Sequence, residues 1–256
     1  MPHYNSCIIS STSISLNGKS REIKPSGLIR LVQNGFNFRD WPVLKHSSND
    51  AGFNLELSHW EYIPNYIRNE VELKEARIMN RRIIAKGEEL LKNDKSHDSV
   101  FREGALYGRC LILSSGFFEW RHVPVMGKKG KPLAKKERIP YFITLRHRPE
   151  YFFMAGVSRI WTNYDRNQSA DTFAVVTTEA NELMAKVYNT KLRMPVIFTE
   201  ELATQWLSGN LSEKQILELG SFRYAAEQMI AWPVAKDFMT KINPNEEAQY
   251  ENLPPL

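Results

Sequence analysis

The stretch 109–120, Arg-Cys-Leu-Ile-Leu-Ser-Ser-Gly-Phe-Phe-Glu-Trp, constrains the fold of this chain more than any other. Its β-branched and aromatic residues read as strand. It also sets one acid, Glu119, among apolar and aromatic neighbours at a strand end. Burial there would raise the carboxyl's pKa and make it a candidate acid or base. The two-residue alternation of a strand equally allows Glu119 to face solvent. Further strand-like runs lie at 140–145, 151–157 and 172–177, with shorter ones at 28–32, 42–44 and 193–198. Residues 70–92 carry apolar positions at helical spacing, and shorter helices are predicted at 181–187, 200–207 and 212–219. A Gly- and Lys-rich loop, 124–138, separates two of the strands as in a long hairpin. Strands drawn from distant parts of the chain predict an α+β fold, with a mixed or antiparallel sheet and peripheral helices.

A chain of 256 residues can bury a continuous core. No apolar stretch approaches the roughly 20 residues that span a bilayer, and the first residues lack the basic and apolar regions of a signal peptide. With two cysteines, Cys7 and Cys110, there is no disulfide framework, and the cytoplasm is the simplest compartment. The formal net charge of +5 favours an anionic partner such as nucleic acid, although many unrelated enzymes carry as much. There is no paired Cys or His pattern for zinc, no phosphate-binding Gly-rich loop and no dinucleotide fingerprint, so neither a metal nor a cofactor is expected. A thiol nucleophile paired with a histidine finds no diagnostic spacing.

Three other clusters admit two readings each. Trp60-Glu61-Tyr62-Ile63-Pro64-Asn65-Tyr66 is aromatic enough to stack on unpaired bases, or is core. Residues 188–195, Tyr-Asn-Thr-Lys-Leu-Arg-Met-Pro, lie between a helix and a strand, where substrates and phosphates often sit, or form a plain connection. The cations of 128–138 could follow a phosphate backbone or belong to a solvated hairpin tip.

Taken in order, several segments resemble the SOS-response-associated peptidase (SRAP) family across most of the chain. They are residues 60–64, 85–89, 101–102, 109–120, 140–142, 154–156, 177–181 and 193–197. The resemblance implies one α+β domain over 1–256 with a β-barrel-like core and a C-terminal tail from about 236. It also implies a basic cleft for single-stranded DNA, abasic sites above all, in a DNA damage response. Members of that family expose a Cys at position 2, whose amine attacks the abasic aldehyde and whose thiol closes a stable thiazolidine. A Glu in Gly-Phe-Phe-Glu-Trp and a His before Arg-Met-Pro assist proton transfer, and an Asn-Ala-Arg-like motif holds DNA.

Carried onto this chain, the resemblance makes Pro2, Glu119 and Tyr188 the catalytic positions. Lys86, Arg193, Thr177, Trp60, Pro42, Arg102 and Ile84 then lie along the DNA path. Three positions depart from the family pattern. Position 2 is Pro, the His position is Tyr188, and the Asn position is Ile84. Cys7, five residues further on, cannot offer an α-amine and a thiol from one residue. A proline amine can still form an iminium but has no thiol to capture it, and a tyrosine of ordinary pKa near 10 is a poor proton shuttle at neutrality.

Two functions follow as expectations. The first is a monomeric binder of single-stranded or abasic DNA with altered or lost crosslinking. The alternative is a lyase working through the Pro2 amine and Glu119, or a thiol-independent, peptidase-like hydrolase. All of them require position 2, Glu119 and the 188–193 loop to converge in one positive groove.

Overall fold

The computed structural model describes residues 3–47, 52–127, 131–251 and 253–256. The first strands are β1 (Tyr4–Cys7), β2 (Ser13–Leu16), β3 (Lys19–Glu22), β4 (Arg30–Asn34), β5 (Asp40–His46) and β6 (Phe53–Trp60). After α1 (Glu70–Met79) come β7 (Ile84–Lys86), α2 (Arg102–Tyr107), β8 (Arg109–Ser114), β9 (Gly116–Met126) and β10 (Pro132–Leu145). The second half holds β11 (Phe152–Asn163), β12 (Gln168–Glu179), α3 (Glu182–Val187), β13 (Arg193–Pro195) and β14 (Ile197–Phe198). The described elements close with α4 (Glu200–Leu207), α5 (Glu213–Gly220) and β15 (Met229–Pro233).

Two sheets organise these strands. In one, the order β12-β6-β5-β8-β11 closes on itself because β11 also pairs with β12, giving a five-stranded barrel. The other is ordered β15-β10-β9-β1-β4. The fold is therefore α+β with a β-barrel core, and its ladders are antiparallel except where β6 and β7 meet β12.

Strand β8 explains why 109–120 dominates the sequence. All six of its residues are buried, so both of its faces read as apolar. Trp41 and Trp206 each donate an indole N–H to its backbone, at Leu113 O (2.8 Å) and Cys110 O (3.0 Å). The chain then passes Ser115 into β9 and changes sheets. At Gly116 a Cβ would stand 2.1 Å from the Phe142 ring, so only glycine lets β9 lie flat on β10 at that point.

The structure differs from the sequence reading in three places. The helix expected over 70–92 stops at Met79. Ile83 and Ile84, both β-branched, leave it to line up along β12, where Val175 N donates to Ile83 O. Tertiary pairing there overrides a helical pattern. The arms of the loop at 124–138 are strand, since β9 and β10 run on as a ladder that pairs Lys136 with Pro124. Lys128 and Lys129 lie outside the described residues. The segment from about 236, expected as a tail, folds back. Phe238 is buried and stacks on Phe118 with ring centroids 4.3 Å apart, and the Tyr250 hydroxyl donates to Val234 O at 2.6 Å.

Candidate nucleic-acid interface

Glu119 sits on β9 opposite Tyr141 of β10 and is 2 % exposed. Burial pushes its carboxyl up from the ordinary 4.5 to about 7, so it exchanges a proton near neutrality. Tyr188 follows the last residue of α3. Its phenol is pushed up to about 12, first by burial and then by the Glu119 carboxylate, with Arg138 acting in the opposite direction. A phenol in that state donates a hydrogen bond and keeps its proton at physiological pH.

The loop carrying Tyr188 is held against β9 by its neighbour. Asn189 accepts from His122 N (3.1 Å) and donates to His122 O (3.0 Å), clasping one residue's backbone three positions past Glu119. The loop closes through Leu192 N on Tyr188 O at 3.2 Å, with Leu192 itself at φ 52°. A side chain at positive φ stores backbone strain of about 1 kcal/mol or more, and this one stands directly before Arg193.

Arg193, Thr177, Lys86 and Ile84 meet where β7, β12 and β13 lie side by side. Thr177 pairs with Lys86 on one flank and Pro195 on the other. Arg193 donates to Thr177 O (2.7 Å) and Thr177 Oγ1 (3.2 Å), and forms a bidentate ion pair with Glu88. Burial raises the Glu88 carboxyl, and the Arg193 hydrogen bond, a backbone hydrogen bond and the charges of Arg193 and Lys86 together more than reverse this, so it stays ionised. Lys86 reaches Glu89 at 2.5 Å and remains exposed.

A cavity of about 830 Å³ opens beside this junction. Its walls include four cations, Arg77, Arg81, Arg82 and Lys86, against the carboxylates Glu89 and Asp98. Apolar and aromatic surface separates the charges. The Arg81 guanidinium lies 5.3 Å from the Phe36 ring centre, and His3 packs on the other ring contact of Phe36 at 4.6 Å. Burial lowers the His3 imidazole to about 4, keeping it neutral. His3 precedes Tyr4, which pairs with Phe118, so the cavity leads to the strand that bears Glu119.

Three residues expected on a DNA path do not line this cavity. Trp60 is 1 % exposed, stacks on Phe173 and donates its indole N–H to Ile83 O (2.9 Å), so no ring face is open to a base. Pro42 is buried within β5, opposite Leu57 of β6. Arg102 is engaged by Glu213 and Asp98 and lines a neighbouring, smaller cavity of about 350 Å³. Pro2 lies outside the described residues. The structure adds His3, Phe36, Arg81, Arg82 and Asn189. The only sequence signal for the two arginines is the run Arg77-Ile78-Met79-Asn80-Arg81-Arg82, basic residues interleaved with apolar ones.

Among the described residues no cluster of His, Cys, Asp and Glu could hold a metal ion, and no helix is long and apolar enough to cross a membrane. Both thiols are inert. Cys7 and Cys110 are fully buried, and burial pushes each up to about 12.

The chain is similar to abasic site processing protein YoqW of Bacillus subtilis (strain 168), 30% identical over 188 residues, which span 73% of this chain and 72% of that one. It is similar to abasic site processing protein YedK of Escherichia coli (strain K12), 24% identical over 195 residues, 76% of this chain and 73% of that one. A crystal structure of a protein from Bacteroides thetaiotaomicron superposes with a TM-score of 0.76 at 28% identity, covering 96% of this chain and all of the other. The family model for SOS response associated peptidase matches residues 13–241. With that match over most of its length, on a barrel that superposes on a relative's from end to end, the chain belongs to the SRAP family.

Proposed function

We propose that this protein binds single-stranded DNA at abasic sites and does not form a persistent crosslink with it. The observation that carries the reading is the cavity lined by Arg81, Arg82 and Lys86 together with Phe36, whose His3 wall continues into the strand paired with β9, which bears Glu119. Cations that track a backbone beside rings that accept bases are what an unpaired strand needs. The names of the Bacillus and Escherichia relatives, which process abasic sites, point to the same substrate. Loss of the crosslink follows from chemistry. A thiazolidine needs an amine and a thiol on one residue, position 2 is proline, and the two thiols present are buried and protonated.

A labelled single-stranded oligonucleotide containing a tetrahydrofuran abasic analogue tests the binding. The logarithm of its affinity should fall linearly with the logarithm of salt concentration. The double substitution Arg81→Ala, Arg82→Ala should reduce that slope by about two. Neither arginine is in an ion pair among the described residues, but Arg82 donates to the Tyr66 hydroxyl (2.9 Å) and each guanidinium lies over a ring, so the double substitution should cost about 1–2 kcal/mol of stability. Absence of salt-sensitive binding by the unaltered protein ends the reading.

One observation also favours a lyase working through the Pro2 amine: Glu119, at about 7, is poised to move protons at neutral pH. Borohydride would then trap an iminium with aldehydic abasic DNA, and an absence of trapped product removes that reading.

A further inference from the structure

Residues 253–256, Leu-Pro-Pro-Leu, lie on the strand that bears Glu119. The Arg121 guanidinium holds them, donating from Nη1 to Pro254 O (2.5 Å) and from Nη2 to Pro255 O (3.0 Å). The same Nη1 reaches the Tyr141 hydroxyl at 3.2 Å, and Tyr141 is the residue paired with Glu119 across β9 and β10. Leu253 and Leu256 pack against the main core cluster, as Tyr188 and Val123 do. Arg121 is two residues past Glu119, so it projects from the same face of β9, about 7 Å further along.

This attachment is weak in kind. No ion pair among the described residues engages Arg121, and its acceptors, two backbone carbonyls and the Tyr141 hydroxyl, are neutral. A guanidinium prefers a phosphate, which takes two parallel charge-assisted hydrogen bonds. Prolines contribute no backbone donor, so Pro254 and Pro255 add nothing to the grip beyond their carbonyls. A strand that enters past Arg81 and Lys86 and presents its lesion to Glu119 and Tyr188 would next meet Arg121.

We propose that Arg121 is a phosphate-binding residue of the single-strand path, and that residues 253–256 occupy its place in the free protein and are displaced by DNA. The segment is then a built-in competitor that weakens binding of strands too short or too poorly seated to expel it. The proposal rests on the DNA reading above and adds both a contact and a regulator to that site.

Two variants of the full protein free the arginine. One ends at Tyr250, and the other keeps its length but carries Leu253→Ser and Leu256→Ser. Each should bind the tetrahydrofuran oligonucleotide about tenfold more tightly than the unaltered chain at the same salt. Adding Arg121→Ala to either should reverse the gain and reduce the salt slope by about one. If all versions bind and neither variant binds more tightly, the segment is no competitor and the proposal is overturned. An unchanged salt slope on Arg121→Ala in the freed background overturns the phosphate contact. If no version binds at all, the DNA reading itself falls, and this proposal falls with it.

Discussion

Replacement of Arg77 by alanine is expected to cost about 3–5 kcal/mol of folding stability, because it strands a buried carboxylate. Glu61 is 2 % exposed at the end of β6. Arg77 holds it from α1 through Nε (3.1 and 2.9 Å to the two oxygens) and Nη2 (2.6 Å). The other basic side chain within reach is His59, with Nε2 3.8 Å from Glu61 Oε2. Burial pushes the Glu61 carboxyl up, and the contacts with and charges of His59 and Arg77 together more than reverse this, leaving it below its usual range. A carboxyl depressed in the folded state contributes stability above its unfolded value, and loses it as pH falls through the folded one. The Arg77→Ala protein should therefore show its deficit at neutral pH and lose much of it in acid, where Glu61 is protonated in both proteins. Urea unfolding at both pH values measures this. A loss below about 1 kcal/mol at neutrality would show that the pair is solvated. Arg77 also lies 4.1 Å over the Phe38 ring, so Arg77→Lys should restore only part of the loss. Arg77 lines the proposed DNA groove as well, and its structural duty is why Arg81 and Arg82 are the better probes of binding.

The second large effect concerns pH. Glu119 is raised by burial to about 7, and His3 is lowered by burial to about 4. Between about 4.5 and 7, the folded protein keeps a proton on Glu119 that the unfolded chain releases, so stability falls as pH rises through that window. Between about 6.5 and 4, the unfolded chain takes a proton that folded His3 refuses, so stability falls as pH drops. Over the shared range these two groups nearly cancel, so the slope left there comes from other groups such as His122, whose imidazole burial lowers in the same direction as His3. Glu119→Gln removes one partner. The variant should match the unaltered protein below about pH 4.5, and exceed it by about 3 kcal/mol above pH 7. It should also expose the His3 titration as a loss of stability between pH 6.5 and 4. Equal stabilities at about pH 8 would mean that Glu119 is ionised at little cost.

Much of the barrel can be read from the sequence, for a physical reason. Strands such as β8 are buried on both faces, so their apolar content is continuous and strand-forming residues dominate. Glu119 stands out by the same logic, as an acid embedded where almost everything else is apolar. Strand β7 is hidden because its partners in β12 are some ninety positions later, and nothing local announces the pairing. The arms of the β9–β10 hairpin are hidden for the opposite reason. The β10 arm is exposed, and its lysines and glutamate leave no regular alternation of apolar with polar residues. Aromatic density misleads at Trp60, since a ring that could stack on a base and a ring that fills a core look alike in one dimension. Asn189 and Arg121 act through backbone groups of other segments, and such contacts leave no mark on the composition of either partner.

The proposed groove keeps its affinity for a damaged single strand after the means of sealing itself to that strand have gone. The direct test is to mix the unaltered protein with single-stranded DNA carrying an aldehydic abasic site. The mixture is then run on a native gel and, after heating in detergent, on a denaturing one. A shifted complex on the first gel and free DNA on the second is the expected result. A protein–DNA band that survives denaturation without added reductant would contradict it.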